Sequence, residues 1–157
     1  MPRFQSSFDS AELFYRDYVP SSVPEPFDLK SQYSTRNQPA LVFLHQWPLS
    51  SAMWEPFMVQ LTESYRFRCI APDRRGFGKS DWNGVQPNSN GLDYEVFAKD
   101  IVDLLEKIKV GKFIFIAASM GGAESLLAYL SSDYVRQNCQ VRASYSLSLF
   151  CFPPSKQ

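Results

Sequence analysis

Ser119 closes an apolar, strand-like run at residues 113–118 and is followed at once by Met120, Gly121 and Gly122. The stretch Ala117-Ala118-Ser119-Met120-Gly121 fits G-x-S-x-G with alanine in the first place. Such a pattern suits a sharp strand-to-helix turn that exposes the serine hydroxyl at a sheet edge, where it can attack a carbonyl. Gly121 and Gly122 allow close helix packing and leave backbone N–H groups available to an anion. The competing assignment is a serine that merely caps a helix. Five residues alone do not separate the two.

A second segment bears on the choice. Acyl transfer needs two N–H donors aimed at the developing oxyanion. Met120, just after the serine, is one candidate. The other is Trp47 in His45-Gln46-Trp47-Pro48, which follows another apolar run, residues 40–45. His45 is the only histidine in the chain. It stands at the end of its own strand, inside the loop it would shape. It is expected to brace that loop by hydrogen bonds rather than to act as a base.

These segments must be brought together by the elements between them. Residues 4–19 form two β-rich pieces around Asp9-Ser10, a hairpin pattern. Residues 19–39, rich in proline and serine, form a long loop. Residues 40–45 are continuously apolar, as in a strand buried on both faces. A helix is expected from Ser50 or Ser51, with Trp54, Phe57, Met58 and Leu61 on one face. Residues 66–72 form a strand, and a glycine-rich loop follows. Residues 93–111 are the clearest helix, capped by Asp93 and ended by Gly111, with Phe97, Ile101, Leu104, Leu105 and Ile108 as its buried stripe. Residues 112–118 form a strand, 121–132 a helix and 141–152 a last strand. Strands alternating with helices predict an α/β fold: an open, mostly parallel sheet with flanking helices and an antiparallel hairpin at one edge. Ligands of such sheets bind at the carboxyl ends of the strands. Residues 45–48, 72–80 and 118–122 all belong there.

Composition narrows the function classes. The chain has 157 residues, 45% hydrophobic and 20% charged, with 16 basic and 16 acidic side chains. This balance gives no electrostatic reason to expect a nucleic acid or anionic membrane as partner. Three widely spaced cysteines predict reduced thiols, and the opening residues lack the apolar core of a signal peptide; both point to a cytoplasmic protein. One histidine and scattered cysteines give no basis for a metal site or cofactor. "GFGKS" (76–80) partly matches a phosphate-binding loop, but Asp73 stands where that motif needs glycine. Arg74 and Arg75 are expected in a solvated or salt-bridged loop. Trp54 is expected in the core, and Trp82 in the core or at the rim of the loop.

The chain resembles the α/β-hydrolase superfamily, and within it the cofactor-free haloperoxidase and arylesterase branch. The resemblance rests on "FYRDY", "LVFLHQWPLSSAMWEP", "APDRRGFGKSDW", "DYEVFAKDIVDLLEKI", "FIFIAASMGGAE" and "LFCFPP", in the family's order over nearly the whole chain. It implies Ser119 as nucleophile, the N–H groups of Trp47 and Met120 as oxyanion hole, supporting positions at His45 and Gly121, and no cofactor. The implied activity is hydrolysis of small carboxylic esters or lactones through an acyl-enzyme, with perhydrolysis as a side activity.

Three departures stand against the family pattern. Gln46 occupies a position usually glycine, and Ala117 replaces the first elbow glycine. The family's acid and histidine follow the nucleophile, whereas downstream of Ser119 this chain has no histidine and only Glu124 and Asp133 as acids. The expectation is therefore one domain over residues 1–157, truncated after the sixth conventional strand, with little or no turnover alone and a last strand open to self-association. The alternative is a non-catalytic small-molecule-binding or scaffold protein on the same fold.

Overall fold

The computed structural model describes residues 2–21, 38–81 and 94–145. Its six strands form one sheet in the order β1-β2-β4-β3-β5-β6. Strands β1 (Arg3–Gln5) and β2 (Glu12–Tyr18) are the expected hairpin, turning through Ser10 at φ 63°. Asp9 Oδ1 accepts from the Ala11 N–H at 3.0 Å and fixes that turn. Strand β2 then pairs antiparallel with β4 (Cys69–Pro72). Strands β4, β3 (Ala40–Leu44), β5 (Phe113–Ala118) and β6 (Cys139–Tyr145) run parallel.

The continuous apolar runs are explained by two core layers. On β3, Val42 and Leu44 join one cluster, while Leu41 and Phe43 join the other. On β5, Phe113, Phe115 and Ala117 face the first cluster, and Ile114 and Ile116 pack on the second. Alternation along a strand puts successive side chains on opposite faces, so each face needs its own cover. A 3-10 turn (Ser51–Trp54) and helix α1 (Glu55–Tyr65) cover one face through Met58, Leu61 and Trp54. Helices α2 (Tyr94–Lys107), α3 (Met120–Ser131) and α4 (Asp133–Asn138) cover the other through Ile101, Leu104, Leu105, Ala128 and Val135.

Several local expectations change. Phe57 is not on the buried face of α1. It is 59% exposed, its ring edge-on to Trp54. The buried line runs through Met58 and Thr62, four residues apart, and Phe57 lies on its flank. The strand expected at 66–72 pairs over Cys69–Pro72 alone, because Arg66 takes φ 64° and closes α1 by donating to the carbonyls of Leu61 and Thr62. Helix α2 ends before Gly111: Lys109 takes the left-handed turn at φ 51°. Ile108 is partly buried against the stripe.

Helix α4 was not foreseen. Ser132 caps it by accepting from the Val135 N–H at 3.3 Å, and β6 accordingly starts at Cys139 rather than 141. The Asp93 cap, Trp82 and the strand beyond residue 145 lie outside the described residues.

Candidate active site

Strand β5 ends at Ala118 and α3 begins at Met120, so the chain reverses within the single residue Ser119. Ser119 takes φ 51° and ψ −116°, a region that costs a non-glycine residue about 1–3 kcal/mol. Its side chain makes no capping hydrogen bond, and the residue is exposed. An ordinary helix-capping serine would have extended backbone angles and would accept from the first turn. Ser119 does neither.

Gly121 shows where the elbow stands. A Cβ built on it would lie 2.7 Å from Leu44 Cβ and 2.8 Å from the Leu44 carbonyl oxygen. The first turn of α3 therefore rests directly on the last residue of β3. Register agrees, since Leu44 is paired with Ala117. The loop that leaves β3 thus departs beside the elbow. In that loop the Leu49 N–H bonds the Gln46 carbonyl at 3.0 Å, the Trp47–Pro48 peptide is cis, and Trp47 is 60% exposed.

His45 is buried at 2% exposure and is held from both sides. The Arg74 N–H donates to Nε2 at 3.0 Å, and Nδ1 lies 3.0 Å from the Gln46 carbonyl. Together these bonds assign the proton to Nδ1 and leave Nε2 as acceptor. Burial, and then the neighbouring Arg74 guanidinium, lower the His45 pKa to about 4. The imidazole is neutral at pH 7 and both its nitrogens are engaged in shaping the loop.

The loop after β4 supplies the rest of the frame. Arg74 Nη2 donates to the His45 carbonyl at 2.8 Å, and Arg74 Nε bonds the Glu124 carboxylate on α3. Glu124 is 2% exposed; burial raises its pKa to about 7, with Arg74 pulling the other way. Arg75 is clamped by Asp100 at 2.8 and 2.9 Å, by Asp9 at 2.6 Å and by Ser6 at 3.0 Å. Both arginines are thus buried and salt-bridged rather than solvated. Asp73 accepts from the Ser51 N–H at 2.7 Å and the Lys79 N–H at 2.8 Å. Gly78 turns at φ 56° over its carboxylate. A carboxylate therefore fills the concavity in which the "GFGKS" reading would need an anion, and the Lys79 ammonium sits over the Phe14 ring.

Of the residues singled out from sequence, Ser119, Met120 and Gly121 lie on one turn, and His45 and Trp47 on the loop beside it. Sequence alone assigns the buried charges Asp73, Arg74 and Glu124 no place in the site. The available signal was three charged residues directly after an apolar strand, in "APDRRG". Among the described residues, no three His, Cys, Asp or Glu side chains come together to hold a metal, and no helix is long and apolar enough to cross a membrane.

Known proteins resemble this chain in sequence and fold. The chain is 30% identical over 146 residues to a non-heme chloroperoxidase of Kitasatospora aureofaciens, covering 93% of this chain and 42% of that protein. It is 30% identical over 128 residues to a bifunctional esterase/perhydrolase of Acinetobacter calcoaceticus, covering 80% of this chain and 37% of that one. An esterase structure from Exiguobacterium antarcticum superposes with a TM-score of 0.68 at 24% identity, covering 90% of this chain and 43% of that chain. The chain thus spans less than half the length of these relatives. A profile of the alpha/beta hydrolase fold matches residues 39–140. With the sheet order, the elbow and these likenesses in agreement, the chain belongs to the α/β hydrolase fold family.

Proposed function

We propose that Ser119 is the nucleophile of a carboxylic ester hydrolase site, acting on small esters or lactones. The observation that carries this reading is the strained, uncapped conformation of Ser119 at the carboxyl end of β5. Attack forms a bond between Ser119 Oγ and the acyl carbon, the ester C–O bond breaks, and the hydroxyl proton leaves with the alcohol. The N–H groups of Trp47 and Met120 hold the oxyanion, His45 shapes the loop bearing the first, and Gly121 lets the helix bearing the second approach. Release of the acyl group to water gives hydrolysis; release to hydrogen peroxide gives a peracid. A relative named as an esterase/perhydrolase supports this pairing.

The 157 residues supply no free imidazole for that proton, because the one histidine, His45, is bound at both nitrogens. In a serine protease, loss of the triad histidine costs about 10⁶ in turnover, and oxyanion stabilisation alone leaves a residual rate of roughly 10³–10⁴ over water. These 157 residues alone are therefore expected to show little or no turnover.

A fluorophosphonate probe, with the labelled peptide mapped by mass spectrometry, tests the reading. Slow labelling confined to Ser119 and absent from Ser119→Ala is expected, with negligible hydrolysis of p-nitrophenyl acetate. Absence of label in folded protein would favour the second reading, a binding or scaffold protein on this fold, which the locked His45 supports. Fast hydrolysis abolished by Ser119→Ala would refute the low turnover.

A further inference from the structure

Three chain segments far apart in sequence are joined beneath the site by one buried chain of polar contacts. Glu124 lies on α3, five residues after Ser119. Its carboxylate binds Arg74 Nε. The same guanidinium donates through Nη2 to the His45 carbonyl at 2.8 Å, and the Arg74 backbone N–H donates to His45 Nε2 at 3.0 Å. His45 Nδ1 in turn meets the Gln46 carbonyl at 3.0 Å, one residue before Trp47. Arg74 also lies over the rings of Phe77 and Phe97, 5.3 and 5.6 Å from their centroids, so its plane is held as well as its charge. A fork with several fixed donors serves two acceptors at once, which a lysine ammonium on a flexible stem does less well.

We propose that Glu124 and Arg74 are positioning residues that tie the elbow helix to the loop bearing the Trp47 N–H, so that the ionisation of Glu124 is felt at Gln46 and Trp47. The significance of that link for catalysis rests on the Ser119 reading; the link itself does not. The groups facing Glu124 are Arg74 and Asp73 from the loop after β4, His45 from the loop after β3, and Asp100 from α2, itself held by Arg75. Burial brings Glu124 to about 7, whereas His45 is pushed down to about 4. The two steps therefore fall in separate pH ranges.

The test uses the 157-residue chain labelled with ¹⁵N, following backbone amide resonances from pH 5.5 to 8.5. Gln46 and Trp47 are expected to shift together with one midpoint near 7, while Arg16 and Tyr18 in β2 stay still. Glu124→Gln should abolish that midpoint and keep the circular dichroism spectrum. If Glu124→Gln does not fold, Glu124→Asp, which still ionises, should move the midpoint. Arg74→Lys should displace both resonances. Flat Gln46 and Trp47 resonances in the wild type, or a midpoint unchanged in a folded Glu124 variant, would overturn the proposal. The coupling should persist in Ser119→Ala. Failure of probe labelling at Ser119 with the coupling intact would remove the proposed function and leave this inference standing.

Discussion

Gly121 and Leu44 touch where a side chain on the first would leave no room for the second: the added Cβ would fall 2.7 Å from Leu44 Cβ and 2.8 Å from its carbonyl oxygen. One of those neighbours is backbone in a paired strand, so it yields little. Gly121→Ala gains about 1 kcal/mol of helix propensity but overpacks a fitted contact, which costs about 1–3 kcal/mol. A net loss of up to about 2 kcal/mol is expected in urea unfolding. A stabilising result would show that α3 slides freely over the end of β3.

Ser119 stores strain that glycine would not. Ser119→Gly and Ser119→Ala both delete the hydroxyl, so their difference isolates the backbone. Glycine reaches φ 51°, ψ −116° without a Cβ clash. Ser119→Gly is expected to be more stable than Ser119→Ala by about 1 kcal/mol, within the range for one strained residue. Thermal unfolding of the two variants at one pH decides it.

Asp73 holds two loops together at one carboxylate. Asp73→Ala leaves the N–H groups of Ser51 and Lys79 without their acceptor. An orphaned buried donor costs about 1–3 kcal/mol, and Ser51 is buried while Lys79 is exposed. A loss of about 2–4 kcal/mol is expected in denaturant unfolding. Asp73→Asn keeps one carbonyl oxygen and should lose about half as much.

His45 and Glu124 give stability opposite slopes with pH. His45 binds its proton at about 4 when folded and 6.5 when unfolded, so its contribution is complete above 6.5 and is lost as pH falls toward 4. Glu124 titrates at about 7 when folded and 4.5 when unfolded, so stability falls as pH rises from 4.5 to 7. Between 4.5 and 6.5 the two slopes oppose and nearly cancel. Relative to wild type, Glu124→Gln should lose stability on acidification through that window, at a limiting slope of about 1.4 kcal/mol per pH unit. His45→Gln should gain by the same measure. Urea midpoints at pH 4.5, 5.5 and 6.5 check both signs.

Much of the architecture was legible because it follows from periodicity. The continuous apolar runs of β3 and β5 announce strands covered on both faces, and the spacing of Phe97, Ile101, Leu104 and Leu105 announces α2. Helix α4 was missed because six residues carry too few apolar positions to show a period, although Ser132 is a good cap. Phe57 was misplaced because an i, i+3, i+4, i+7 count begun at Trp54 crosses the junction of a 3-10 turn and an α-helix. At the site, Ser119 stood out as a small polar residue where a strand stops. The pairing of Arg74 with Glu124 did not, because fifty residues separate them and only the fold makes them neighbours.

Arg75 is a rivet through the amino-terminal hairpin. Its guanidinium binds Asp9 and Ser6 on one side and Asp100 of α2 on the other, while β2 forms the flank of β4. A recombinant product begun after residue 21 would strip the sheet of two strands and leave an interior cation sharing one anion where it had two. Fusion partners and purification handles therefore belong ahead of Pro2, not in place of the hairpin.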